Sequence, residues 1–218
     1  MEFPQSTEKA RKEQLRLRGM IRIVSLNKSP RLIAGVDASF SGRTVLAVAS
    51  VFRYPEIIHV EDSFATADIT MPYIPGFLSF REGPAILKAL GGLRNRPDVV
   101  LFDGQGIAHP LEMGIAAHMG VLLNVPAIGC AKSRLVGTYN GPGRRKGECA
   151  DLVYHGNIVG SVVRTRDNVK PLFVSPGHLI DLKGAVEIVL SSTGKYRIPE
   201  PLRRADLLTK RLRKEINS

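Results

Sequence analysis

Asp37 stands directly after Leu32-Ile33-Ala34-Gly35-Val36, a run whose apolar continuity marks a central strand buried on both faces. An ionised carboxylate there is costly unless it is paired or bound to a cation. Asp103 ends a second apolar run, Val99-Val100-Leu101-Phe102, and is followed by Gly104-Gln105-Gly106, so it falls at the carboxyl edge where open α/β sheets hold ligands. Glu82 lies four residues before Ile86 and eight before Leu90, which on a helix puts it on the inward stripe. Taken singly, each acid has an ordinary reading: Asp37 as a turn cap, Asp103 as a strand-end aspartate, Glu82 as compensation of a helix dipole. Jointly, three acids directed inward from three elements suit a cage for Mg²⁺, with Mn²⁺ able to substitute, because these hard cations take oxygen ligands and keep positions open for water and a phosphate. The chemistry would be activation of water and stabilisation of a leaving oxygen in phosphodiester hydrolysis.

Positioning these residues requires a mixed sheet. Leu32 to Phe40, Val45 to Phe52 and Ile57 to Phe64 form a meander with a turn at Ser41-Gly42-Arg43. Phe80 to Leu93 has helical periodicity, Asp98 to Asp103 is a short buried strand, Leu111 to Leu123 a helix and Ala127 to Ala131 a strand, an order that favours parallel pairing through a right-handed crossover. Residues 6 to 20 form a basic amphipathic helix. A Gly-rich basic loop spans Gly137 to Gly147, a hairpin turns at His155-Gly156-Asn157, and Ser175-Pro176-Gly177-His178 is read as a turn. Helices at 181 to 193 and 201 to 216 follow, the second with Pro201 at its first position. No repeat or long linker divides the chain, so residues 1–218 are taken as one domain, an α/β mixed β-sheet flanked by helices on both faces.

The 31 Lys and Arg against 20 Asp and Glu give a formal charge of +11, which points to a polyanionic partner. Phe 8, Tyr 5 and Trp 0 argue against a platform that stacks many bases. The charge is uneven: residues 1 to 22 carry six basic and three acidic groups, and residues 195 to 218 eight against three. Lys132, Arg134, Arg144, Arg145 and Lys146 form an island without an acid, read either as phosphate contacts or as a solvated face. The richest apolar stretch, from Ile107 to Cys130, is broken by His109, Pro110, Glu112, His118 and Pro126, so no membrane span is expected. Met1-Glu2-Phe3-Pro4 lacks a secretion-signal profile, so the expectation is a cytoplasmic, reducing setting with Cys130 and Cys149 as free thiols. Two cysteines without a CxxC pair argue against a zinc site.

Five blocks occur in one order: Gly35-Val36-Asp37-Ala38-Ser39; Pro72-Tyr73-Ile74-Pro75-Gly76; Phe80-Arg81-Glu82-Gly83-Pro84; Phe102-Asp103-Gly104-Gln105-Gly106 with Ala108-His109-Pro110; and Gly129-Cys130-Ala131-Lys132-Ser133. Together, from about Gln14 to Leu212, the chain resembles the endonuclease V family. The resemblance implies a ribonuclease H-like fold and a metal-dependent endonuclease acting on deaminated purine, chiefly inosine or deoxyinosine, with DNA containing deoxyinosine and inosine-containing RNA both open as partners. It implies hydrolysis of the second phosphodiester 3′ to the lesion, leaving 3′-hydroxyl and 5′-phosphate ends, and a monomer serving DNA repair.

By that resemblance Asp37, Glu82, Asp103 and Asp206 match metal-site residues, and Lys132 matches a lysine near the scissile phosphate. Tyr73 matches a wedge that fills the space left by the extruded base. Pro72 and Pro75, flanking Tyr73 and Ile74, stiffen such a loop so that little entropy is lost on insertion. Gly76, Leu78, Gly104 and Gly106 match the pocket for the flipped base, where glycine lets main-chain groups approach closely. His109 is expected to contact the nucleic acid backbone or to serve as a structural histidine. The chain departs from the family pattern at Leu111-Glu112-Met113, where basic residues are usual. Two other readings share some of these residues: a junction-resolvase-type nuclease, which needs the carboxylates and no Pro-Tyr-Ile-Pro wedge, and a catalytically silent binder of modified nucleic acid, which would tolerate loss of Asp37.

Overall fold

A computed structural model describes residues 4, 6–72 and 74–217. One eight-stranded sheet organises it, built from β1 (Leu32–Ser41), β2 (Thr44–Arg53), β3 (Ile58–Asp68), β4 (Val99–Phe102), β5 (Ala127–Ala131), β6 (Cys149–Tyr154), β7 (Asn157–Val163) and β8 (Leu172–His178). The spatial order is β3-β2-β1-β4-β5-β8-β7-β6. β1, β4 and β5 are parallel neighbours, and the pairs on either side of them are antiparallel. The helices are α1 (Thr7–Arg18), α2 (Leu78–Gly91), α3 (Ile115–Leu123), α4 (Leu182–Ser191) and α5 (Glu200–Asn217).

Strand periodicity divides the core into two layers. Ala34 and Val36 of β1 with Val100 and Phe102 of β4 face α2 and α3, meeting Ala85, Ile86, Ala89, Ala116 and Met119. Ile33, Val99, Leu101, Ile128 and Cys130 face the other way, against Ile188 and Val189 of α4 and Leu202 of α5. Gly35 permits the closest helix approach: a Cβ there would lie 2.2 Å from the Pro201 carbonyl carbon. α5 therefore rests directly on β1, a contact any larger residue would push apart. α1 packs Leu17 against Met113, Ala117 and Val121 around α3.

Three sequence expectations are corrected. Ser175-Pro176-Gly177-His178 belongs to β8, buried throughout, and not to a turn. Ala127 pairs with His178 and Ile128 with Pro176, so the ladder shifts by one residue at Pro-Gly, and this bulge admits a proline into an interior strand. α3 starts at Ile115 instead of Leu111, because Glu112 takes a φ of 54° and breaks helical continuity before Gly114. β3 continues four residues past Phe64, to Asp68. The hairpin at His155 and Gly156 does form, with both residues at positive φ, as a tight two-residue turn requires.

Candidate active site

Parallel register brings the ends of three strands to one edge. Val36 pairs with Phe102, and Phe102 with Gly129, so Asp37 and Asp103 follow side by side and Lys132 follows one strand further on. Alternation puts all three on the α5 face of the sheet. One carboxylate oxygen each from Asp37, Asp103 and Asp206 of α5 lie within 4.8 Å of one another. Thr209, one turn beyond Asp206, donates to Asp37 Oδ2 at 2.5 Å. Lys132 Nζ donates to Asp103 Oδ2 at 2.5 Å and lies 3.8 Å from Asp206 Oδ1, while Lys210 Nζ donates to Asp206 Oδ2 at 2.6 Å.

Glu82 is buried but is not one of this trio. α2 packs on the opposite face of the sheet, so Glu82 reaches the edge from the other side and joins Asp37 and Asp103 only across a cavity of about 230 Å³. Glu82 thus shares a cavity with the two strand aspartates, while Asp206 joins them in the tighter oxygen cluster. Helical spacing showed that Glu82 points inward, but it could not show which sheet face α2 covers.

Burial pushes the Asp37 carboxyl up to about 6, the Thr209 hydrogen bond opposes this, and the neighbouring Asp103 and Asp206 charges reinforce it. Burial likewise pushes Glu82 up to about 8, with the charges of Asp37 and Asp103 adding to the effect. The fit to a divalent cation follows from this donor set: hard oxygen ligands crowd close together, and two lysine ammonium groups now lie against them. A raised carboxyl pKa means the folded state holds its proton more tightly, so the stability Glu82 contributes is present at low pH and is lost as pH rises through about 8. His109 and His118, held near 4 by burial, act in the opposite direction, but their effect is complete by about pH 7. In metal-free protein, Glu82→Gln should therefore abolish about 1 kcal/mol of stability loss between roughly pH 7 and 8.5. Denaturant unfolding of both proteins at the two pH values checks this; parallel declines would refute it.

Beside the carboxylates lies a larger cavity of about 400 Å³, and Asp103 lines both. Of the residues expected in a base pocket, Gly76, Leu78 and Gly104 line it, as do Pro75 and His109. Gly106 does not: a Cβ there would lie 2.1 Å from the Pro176 carbonyl oxygen, so its glycine serves packing against β8. Ile74 packs with Ala10, Met71 and Phe80, Pro72 is exposed, and Tyr73 lies outside the described residues. His109 is buried. Its Nδ1 accepts from the Leu111 N–H at 3.2 Å, and it also bonds the Gly76 carbonyl, which accepts from Gln14 Nε2 at 2.8 Å as well. With both ring nitrogens committed to main chain, His109 ties the loop before α2 in place, the structural alternative for this residue.

The basic island divides by use. Lys146 Nζ donates to the Thr193 carbonyl and Arg134 to the Gly137 carbonyl, whereas Arg144 and Arg145 extend exposed side chains from the loop. At the departure from the family pattern, Glu112 pairs with Arg18 of α1 at 3.0 Å and Met113 is fully buried, so those residues serve to dock α1. Cys130 and Cys149 are free thiols. No helix among the described residues is long and apolar enough to cross a membrane. Sequence reasoning missed Thr209, whose spacing from Asp206 was the available signal, and it gave no role to Gln105, Ser79 or His118.

Residues 15–207 match the model of the endonuclease V family. The endonuclease V of Dictyoglomus turgidum is 51% identical over 185 residues, covering 85% of this chain and 81% of the relative. The crystal structure of endonuclease V from Streptomyces avermitilis is 39% identical with a TM-score of 0.95, covering 99% of this chain and 96% of that one. A structure of Ciona intestinalis endonuclease V, in complex with a 24mer DNA containing an inosine followed by a ribo-adenosine, is 28% identical with a TM-score of 0.84, covering 96% and 98% respectively.

Proposed function

The chain belongs to the endonuclease V family, and from that premise we propose that it cuts DNA at deoxyinosine, hydrolysing the second phosphodiester 3′ to the lesion and leaving 3′-hydroxyl and 5′-phosphate ends. One observation carries this reading: Asp103 belongs at once to the three-carboxylate cluster and to a cavity large enough for a purine. The inosine-containing DNA held by the Ciona relative supports the substrate class. Inosine-containing RNA is the second substrate of this reading, and a cytoplasmic monomer engaged in DNA repair is its setting.

Asp37, Asp103 and Asp206 would hold Mg²⁺, with Mn²⁺ able to replace it, and Glu82, which faces Asp37 and Asp103 across their shared cavity, would complete the set. When bound, the cation supplies an acidified water and neutralises charge on the leaving oxygen. Thr209 orients the Asp37 carboxylate by its hydrogen bond, and Lys132, half-exposed beside Asp103, is placed to hold a phosphate oxygen. Tyr73 is assigned as the wedge, on a loop whose following residue, Ile74, is anchored against Phe80. Strands carrying one labelled deoxyinosine, incubated with and without Mg²⁺ and mapped at the cut, test the function. A cut at another bond, or equal cutting of unmodified strands, would defeat it.

The exposed arginines of the basic loop make a further expectation. Phosphate contacts position a duplex without reading its sequence, so Arg144→Ala/Arg145→Ala should weaken lesion and unmodified duplex alike. The slope of log K against log salt should fall by roughly 0.9 for each phosphate that is no longer neutralised. Binding isotherms at several salt concentrations measure it; an unaltered slope would mean that neither side chain touches phosphate.

A further inference from the structure

Lys132 stands just past the end of β5, and side chains from two other segments hold the main chain that carries it. Arg197, between α4 and α5, donates from Nη2 to the Lys132 carbonyl at 3.1 Å and to the Pro171 carbonyl at 2.6 Å. Gln105, shortly after Asp103, donates from Nε2 to the Ser133 carbonyl at 3.0 Å. Two successive carbonyls are thus pinned from outside the strand.

The place of the Arg197 bridge follows from how the sheet ends. The last pair of the β5–β8 ladder is Ala131 with Phe173, and Pro171, without an N–H, cannot extend it. Beyond that pair Lys132, Ser133 and Arg134 are exposed. The guanidinium reaches across and ties the two strand ends together by their carbonyls. Arg197 is itself fixed, its own carbonyl accepting from Thr165 Oγ1 at 2.7 Å. The arrangement is costly, because Arg197 Nε is buried with no hydrogen-bond partner. Local rules are broken in this way chiefly at functional sites.

A lysine carries its charge on a flexible stem, so the reach of its ammonium is set by where its own main chain is held. Here Lys132 Nζ lies 2.5 Å from Asp103 Oδ2 and 3.8 Å from Asp206 Oδ1. We propose that Arg197 is a positioning residue: by fixing the Lys132 carbonyl, it keeps the Lys132 ammonium at the rim of the carboxylate cluster, in place for a phosphate oxygen. The inference rests on the part given to Lys132 in the proposed function.

The test compares the unmutated protein, Arg197→Met, Lys132→Ala and the double variant. Arg197→Met keeps an unbranched stem and removes the donors. Single-turnover cutting of a labelled deoxyinosine strand is measured with Mg²⁺ at saturating protein, and binding of the same strand is measured under chelation. Arg197→Met should cut roughly tenfold more slowly, with binding within about twofold of the unmutated protein's, because a displaced ammonium is felt mainly at the reacting phosphate. In the Lys132→Ala background the same substitution should change the rate by less than about twofold, since no ammonium remains to be misplaced. Arg197→Lys, which keeps a charge and a donor, should cut at an intermediate rate, and it runs the same cycle if Arg197→Met does not fold. An equal loss of rate in both backgrounds, a loss of binding as large as the loss of rate, or cutting by Arg197→Met at the unmutated rate would overturn the assignment. Unimpaired cutting by Lys132→Ala would bring down the part given to Lys132, and failure of the unmutated protein to cut at deoxyinosine would bring down the proposed function; either takes this assignment with it.

Discussion

Asp103→Ala should abolish strand cleavage while leaving a folded protein that still binds deoxyinosine strands. Asp103 supplies one oxygen of the cluster with Asp37 and Asp206, and its loss opens the cage on the side that borders the larger cavity. A cation at such a site is worth several kcal/mol of transition-state stabilisation, so turnover should fall about a thousandfold or more. Stability should not fall with it. Asp103 adds like charge beside Asp37 and Glu82, and removing it relieves part of what holds those carboxyls high. Asp37→Ala should behave in the same way, although it also leaves Thr209 without its carboxylate partner. Single-turnover cleavage, with binding and melting measured on the same preparations, decides the matter. Cutting at the unmutated rate would end the metal-cage reading, and loss of binding in step with cutting would recast Asp103 as a substrate contact.

Gly35→Ala, with no titratable group involved, should damage both stability and cleavage. The added methyl would fall 2.2 Å from the Pro201 carbonyl carbon and 2.3 Å from the Leu202 nitrogen, and both are backbone atoms that cannot swing aside. α5 must move off β1. Overpacking of this kind costs typically about 1–3 kcal/mol, and a contact with helix backbone belongs at the upper end. The same movement carries Asp206 and Thr209 away from Asp37, and a displacement of about 1 Å at reacting groups can cost roughly a hundredfold in rate. Urea unfolding and cleavage at low temperature, where the variant stays folded, separate the two effects. A variant with unmutated stability and rate would show that α5 does not bear directly on β1.

What the sequence made legible was what periodicity can encode. Continuous apolar runs marked β1 and β4 as interior strands, and an aspartate at the end of each, in adjacent parallel strands, had to arrive at one edge. Lys132, reached through resemblance, arrives at the same edge through β5. Local rules misled where tertiary context overrode them: Pro176-Gly177 looks like turn punctuation until a bulge absorbs it into β8, and Glu112 sits in a helical pattern that its left-handed backbone ends. The partners brought by helix docking were not legible locally. Asp206 was reached only through resemblance, Thr209 and Gln105 not at all, and Glu82 was placed on an inward stripe with no indication of which side of the sheet it would enter from. Stripe and spacing describe one element at a time, whereas the site is defined by how elements meet.

The third carboxylate of the cluster comes from the element that follows every strand in the chain. A polypeptide emerging from the ribosome, N-terminus first, exposes β1 with Asp37 and β4 with Asp103 long before Glu200 opens the helix that carries Asp206 and Thr209. Until that helix emerges and seats itself on Gly35, the nascent chain has the sheet but not the finished cluster. Order of synthesis thus separates making the scaffold from completing the carboxylate cluster, which waits on the docking of one late helix.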